Sequence, residues 1–129
     1  MKIEGAIRSL QTIRVGAISD FGELAPKEVT VNGLSLFVYR HGGNYYCYRN
    51  RCPHQGGPAC EGDLRGRVVG TVDENGMYLE RTSKKELSIV CPWHGVEYDL
   101  KNGECRTDSK LKLRSYEVLI EDGEVKIKI

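Results

Sequence analysis

Glycine-centred turns punctuate this chain at short intervals, and their spacing limits what it can fold into. Asn32-Gly33, His41-Gly42-Gly43-Asn44, Asp73-Glu74-Asn75-Gly76, Lys101-Asn102-Gly103 and Glu121-Asp122-Gly123-Glu124 each stand next to short apolar or aromatic runs. Asn-Gly between Val29-Thr30-Val31 and Leu34-Ser35-Leu36-Phe37-Val38-Tyr39 is a strong signal for a two-residue type I′ hairpin, because both turn residues tolerate positive φ. Tyr45-Tyr46-Cys47-Tyr48 is rich in strand-favouring aromatics. Further runs lie at 68–72, 77–80, 96–100 and 116–120, and the last run alternates, with Val125, Ile127 and Ile129 on one face. The 15 glycines among 129 residues exceed the usual share of roughly 7%. No long helical pattern is present, and only residues 26–28 and 108–111 are expected to form a helical turn. The chain is expected to be all-β, an antiparallel sandwich or barrel forming one domain over residues 1–129.

Composition narrows the function classes. Lys and Arg number 19 against 18 Asp and Glu, so the net charge of +1 favours neither nucleic acid nor an anionic membrane. Leu, Ile, Val and Phe make up about a quarter of the chain, above the roughly 20% below which chains tend to disorder. No apolar window approaches the 18 residues of a membrane span, and Met1-Lys2-Ile3-Glu4-Gly5 shows no signal core, so a cytoplasmic location is expected. The five cysteines, an odd number without a secretion signal, argue against a disulfide framework.

Two segments carry the chemistry. Cys52-Pro53-His54-Gln55-Gly56-Gly57-Pro58 is C-x-H, and Cys91-Pro92-Trp93-His94-Gly95 is C-x-x-H. Each offers one thiolate and one imidazole, ligands that suit zinc or iron–sulfur iron. Zinc fingers tend to pair like ligands, as C-x₂₋₄-C with H-x₃₋₅-H, and that pairing is absent. A [2Fe–2S] centre with two Cys on one iron and two His on the other takes one ligand of each kind from each loop. Gly56, Gly57 and Gly95 are expected to let backbone N–H groups approach bridging sulfides, and Pro53 and Pro92 to stiffen each loop after its Cys.

These segments resemble the two cluster-binding boxes of the Rieske iron–sulfur family, and residues 96–103 resemble the stretch after the second box in its ferredoxins. The resemblance implies a Rieske-like β fold with a small cluster-binding subdomain of two loops, near 50–60 and 90–99. It implies one [2Fe–2S] cluster held by Cys52, His54, Cys91 and His94, with Gly56, Gly57, Trp93, Gly95 and Tyr98 around it. High-potential members carry a disulfide between the positions held here by Gly57 and Trp93, and a sulfide-bonding Ser where Val96 stands. With fewer hydrogen bonds to sulfur, the potential is expected in the lower half of the Rieske range of about −150 to +300 mV. Tyr98 is expected as a donor to the Cys91 thiolate. The third loop, residues 105–111, lacks the Pro common in the family, which puts its cover of the cluster in doubt.

From His54 to Cys91 there are 36 intervening residues, against fewer than twenty in typical Rieske ferredoxins. A hairpin inserted near 63–86 is expected, either as plain surface or as a docking element for a partner. Cys47, Cys60 and Cys105 are expected to be packing residues or free thiols, and His41 an ordinary turn residue. Arg40, Arg49 and Arg51 lie in a stretch without acidic residues between Glu28 and Glu61, which gives the first box a basic setting.

After His54 and His94 only His41 remains, too few histidines for an added non-haem iron site of the 2-His-1-carboxylate kind. Phosphate loops and G-x-G-x-x-G fingerprints are absent. The resemblance therefore implies an electron-transfer component, not an enzyme. It would take electrons from a flavin reductase and pass them to a terminal oxygenase, of the ring-hydroxylating type. The small Rieske subunit of a nitrite reductase is the alternative within the family. A zinc-stabilised β interaction module is the alternative outside it.

Overall fold

The computed structural model describes residues 11–54, 56–93 and 95–129; of 67–69 and 80–85 it describes the backbone alone. His94 and Gln55 lie outside the described residues.

Among the described residues ten strands form three antiparallel sheets: β1 (Thr12–Ala17), β2 (Lys27–Val31), β3 (Leu34–His41), β4 (Asn44–Arg49), β5 (Leu64–Val72), β6 (Tyr78–Val90), β7 (Glu97–Asp99), β8 (Ser115–Tyr116), β9 (Val118–Glu121) and β10 (Glu124–Lys128). The sheet orders are β1-β10-β9, β2-β3-β4-β8 and β5-β6-β7. Three connections are two-residue loops with both residues at positive φ: Asn32-Gly33 (51° and 79°), Gly42-Gly43 (58° and 81°) and Asp122-Gly123 (51° and 75°). That is the type I′ requirement, met by the residue types that meet it most cheaply. Short 3₁₀ turns at Ile18–Asp20 and Ala59–Glu61 are the helical elements among the described residues. None is long and apolar enough to cross a membrane.

Several sequence expectations are corrected. Residues 26–28 do not form a helical turn, because Lys27 and Glu28 pair with Val38 and Phe37 in the sheet. Residues 108–111 form only a turn, closed by the Leu111 N–H on the Asp108 carbonyl at 3.0 Å. The run at 116–120 is two strands: β8 pairs with β4, and β9 pairs with β10. The break at Glu117 lets one stretch of chain serve two sheets. Strand β1 is an addition to the expected strands. In it Ile13 and Val15 alternate with Thr12 and Arg14, and those two apolar residues pack on the core while their neighbours face water.

Two buried clusters hold the sheets together. One lies under the first two sheets and is aliphatic apart from one ring and one thiol: Phe21, Val29, Val31, Leu36, Val38, Cys47, Val125 and Ile127. The other lies between the four-stranded sheet and the base of the β5-β6-β7 sheet. It contains Tyr39, Tyr48, Tyr98, Cys52, Cys60, Cys91 and Cys105 among its members. Strands β5 and β6 run far beyond β7, which pairs only with Ser88–Val90, so residues 68–82 form a two-stranded ribbon.

Candidate metal centre

Both Cys-Pro segments fold into the same small loop. In the first, the Cys52 N–H donates to the Gly57 carbonyl at 2.7 Å. In the second, the Cys91 N–H donates to the Val96 carbonyl at 2.8 Å. Each loop thus spans six residues, with Cys first, Pro second and Gly fifth. The fifth residue is left-handed in both, Gly56 at φ 77° and Gly95 at φ 66°, a conformation that costs glycine nothing. The imidazole occupies the third position in one loop, as His54, and the fourth in the other, as His94.

The loops share a polarity. Cys52 and Cys91 are 2% and 0% exposed, whereas Pro53, His54, Pro92 and Trp93 face solvent. The two cysteine side chains stand next to each other. Burial raises the Cys91 thiol pKa; the Trp93 backbone N–H on its sulfur opposes that, and the neighbouring Cys52 adds to it. Two adjacent buried sulfurs could ionise together only with a cation to balance them, a role that suits iron or zinc. Among the described residues no three His, Cys, Asp or Glu side chains converge as a metal site, and the expected fourth ligand, His94, lies outside them.

Trp93 joins the loops. It is 48% exposed, and its ring lies so close to Gly57 that a Cβ there would sit 2.5 Å from a ring carbon. The two positions that the family's high-potential members join by a disulfide are therefore in contact here through an indole on a bare backbone. Any side chain at Gly57 would displace the ring. Gly62, just after the 3₁₀ turn that follows the first segment, is also constrained, since a Cβ would run into the Val90 carbonyl.

Tyr98 is where the expectation needs correcting. Its hydroxyl lies 2.8 Å from the Cys52 sulfur, not on Cys91 of the loop that precedes its strand. Tyr98 pairs with Ile89 in the sheet, and its ring is long enough to carry the hydroxyl across to the facing loop. Burial first, then the Cys52 sulfur, raises the phenol pKa, so the hydroxyl keeps its proton and would donate it to a metal-bound Cys52 thiolate. The Gly56 N–H is also not free for a sulfide, because it donates to the Cys52 carbonyl at 2.7 Å.

The remaining thiols pack. Cys47, Cys60 and Cys105 are buried and unpaired by disulfides. Burial pushes Cys47 and Cys60 up to about 12. The third loop, without its Pro, is closed by the Cys105 N–H on the Leu111 carbonyl at 2.9 Å and docks against Tyr98 through a bridge at Cys105. His41 is less ordinary than its turn suggests: its Nδ1 lies 2.7 Å from a Glu23 carboxylate oxygen, and that contact, with the Gly42 N–H, lowers the Glu23 pKa. Arg106 is a residue that sequence reading misses altogether; it binds Asp99 and Ser88 behind Tyr98. No local pattern marks it, because its partners lie 7 and 18 residues away.

Comparison with known proteins agrees with this geometry. A family model described as the Rieske [2Fe-2S] domain matches residues 11–117. A human Rieske domain-containing protein is 28% identical over 97 residues, which is 75% of this chain and 52% of that protein. The chain thus spans about half the length of that curated relative. Among solved structures, a complex of reduced oxygenase and oxidized ferredoxin in carbazole 1,9a-dioxygenase is 25% identical, with a TM-score of 0.64, covering 91% of this chain and 92% of the matched one. A Mycobacterium tuberculosis protein assigned as an NADH-dependent nitrite reductase small subunit is 16% identical with a TM-score of 0.66, covering 93% and 96%.

Proposed function

The chain belongs to the Rieske [2Fe-2S] family, whose cofactor is a single Rieske-type [2Fe–2S] cluster, and from that we propose that it carries single electrons from a flavin reductase to a terminal oxygenase. Cys52, His54, Cys91 and His94 would hold the cluster, the cysteines on one iron and the histidines on the other. When bound, the cluster supplies a centre that accepts and releases one electron.

The observation that carries this reading is the polarity of the loops. Both thiols are buried, while Pro53 and His54 lie on the surface. An imidazole end at the surface is where a partner's redox centre can approach. Around the thiols the chain supports the reduced, more negative state with the Tyr98 hydroxyl on the Cys52 sulfur. Val96 adds no hydroxyl donor. The Tyr98 hydroxyl at sulfur and the lack of a thiol at Gly57 and Trp93 support a potential in the lower half of the family's range of about −150 to +300 mV. Arg49 and Arg51 flank the first loop, a charge that favours an acidic partner face.

The test is direct. The purified chain is expected to be red-brown, to hold equal amounts of iron and acid-labile sulfide, and to give a rhombic EPR signal on reduction with dithionite. His94→Ala is expected to abolish or alter that signal. A colourless protein holding zinc would support a β interaction module instead. Reduction by a flavin reductase and re-oxidation by an oxygenase at turnover rates completes the assignment. The likeness to a nitrite reductase small subunit motivates a second reading; stable co-assembly with a nitrite reductase large subunit in place of oxygenase turnover would favour it.

A further inference from the structure

Strand β7 carries Tyr98 and is only three residues long, pairing with β6 at Ser88, Ile89 and Val90. So short a pairing fixes a side chain weakly by itself. Strand alternation points Glu97 and Asp99 away from the face that Tyr98 occupies. That opposite face is gripped by a single residue. Arg106 donates through Nε to the Ser88 hydroxyl at 3.0 Å, through Nη1 to an Asp99 carboxylate oxygen at 2.8 Å, and through Nη2 to the Leu87 carbonyl at 3.1 Å. Its backbone N–H donates to the Glu97 carbonyl at 2.9 Å. Four bonds from one residue thereby span β6 and β7 on either side of Tyr98.

This is not a solvated surface pair. The Arg106 and Asp99 side chains are 15% and 24% exposed. Ser88 is fully buried, and it is the one polar residue so buried among those described. A planar guanidinium is required, because three nitrogens reach three acceptors on two strands; a lysine supplies the charge without the fork.

We propose that Arg106 is a positioning residue for the cluster: by clamping β7 to β6 it holds the Tyr98 hydroxyl on the Cys52 sulfur and so sets the reduction potential. The proposal rests on the carrier reading above. Tyr98 stabilises added charge on sulfur only while its oxygen stays at bonding distance, so a loosened β7 weakens the bond without removing the donor.

The test uses the loaded protein and compares midpoint potentials from EPR-monitored titrations. Tyr98→Phe is expected to lower the reduction equilibrium constant about tenfold, which for one electron is about 59 mV. Arg106→Gln is expected to lower it roughly three- to tenfold, and Arg106→Lys to recover little of the loss. The deciding variant is the double substitution. Tyr98→Phe with Arg106→Gln should fall no further than Tyr98→Phe alone, because Arg106 acts through the hydroxyl already removed. A double variant lower by the product of the two single effects overturns the proposal, since Arg106 would then act through its charge or through general loosening. A wild-type potential in Arg106→Gln, with the cluster intact, overturns it as well. If Arg106→Gln fails to fold, Asp99→Asn and Ser88→Ala each remove one partner of the clamp and are expected to lower the potential in the same Tyr98-dependent way; unchanged potentials in both overturn the proposal. A wild-type chain without iron and sulfide removes this proposal together with the carrier reading, whereas an intact cluster indifferent to all these variants removes this proposal alone.

Discussion

The two buried clusters of this protein do different work with different residues. The lower one, around Leu36, Val38, Val125 and Ile127, is almost wholly aliphatic and stabilises by volume and area. The upper one packs four cysteines and three tyrosines around the metal loops, and its polar atoms must find partners. Tyr48 gives its hydroxyl to the Leu100 carbonyl at 2.6 Å, and the Tyr98 hydroxyl pairs with the Cys52 sulfur. Tyr39 hydroxyl is the buried side-chain polar atom left unpaired among the described residues, although Cys60 lies beside it. The difference teaches that the lower core answers to size and the upper core to chemistry. Substitutions in the first should change stability and leave the electronics alone, whereas substitutions in the second that touch the thiols or Tyr98 should change the electronics as well.

The largest expected effect tests the lower half of that contrast. Leu36→Ala removes a fully buried side chain and should cost about 2–5 kcal/mol of unfolding free energy in urea, with the visible spectrum of the folded fraction unchanged. A shifted spectrum would mean that the two cores are coupled.

The buried thiols should show themselves in alkali. Burial raises the pKa of Cys47 and Cys60 to about 12, above their unfolded values near 8.5. Such groups bind more protons in the folded state between those two values. Stability they contribute is fully present below about pH 8.5 and is lost as the pH rises toward 12, at up to about 1.4 kcal/mol per pH unit for each thiol. Cys47→Ala in the lower core and Cys60→Ala in the upper should each flatten the slope, because each removes one such group. Urea midpoints that stay level from pH 8 to 11 would contradict this.

A smaller effect separates electronics from packing. Tyr98→Phe keeps the ring and removes one hydroxyl from the Cys52 sulfur. It should lower the midpoint potential by on the order of 50 mV while changing stability by only about 1 kcal/mol.

The smallest effect is expected in the ribbon. Residues 68–82 pair only with each other, and Val72, Met77, Tyr78 and Leu79 are exposed at its end. Replacing 68–82 by a two-residue turn should leave both the spectrum and the potential unchanged. The same variant, assayed for electron transfer to its acceptor, tells plain surface from a docking element.

Much of this is legible in the residues, for physical reasons that can be named. Asn32-Gly33 and Asp122-Gly123 announce their hairpins because positive φ is a local property of two residues. Cys52-Pro53 and Cys91-Pro92 with their following glycines announce the loops because each loop closes on itself within six residues. Tyr98 is visible as a donor but its acceptor is not, since the sulfur it reaches lies 46 residues away. The division of residues 115–121 between two sheets is hidden for the same reason: apolar pattern marks a strand and does not say which neighbour it pairs with.

What the sequence determined by itself is the chemistry on offer: two thiolate–imidazole loops, an all-β chain to carry them, and no partner thiol at Gly57 or Trp93 to join them. Tertiary structure alone decided how that chemistry is held. It set the Trp93 ring against Gly57, carried the Tyr98 hydroxyl past its own loop to Cys52, and closed Arg106 on Ser88 and Asp99. Turn and loop conformations depend on a few adjacent dihedrals, which residue type restricts directly. Contacts between distant segments depend on the register of whole strands, and only the folded sheet supplies that.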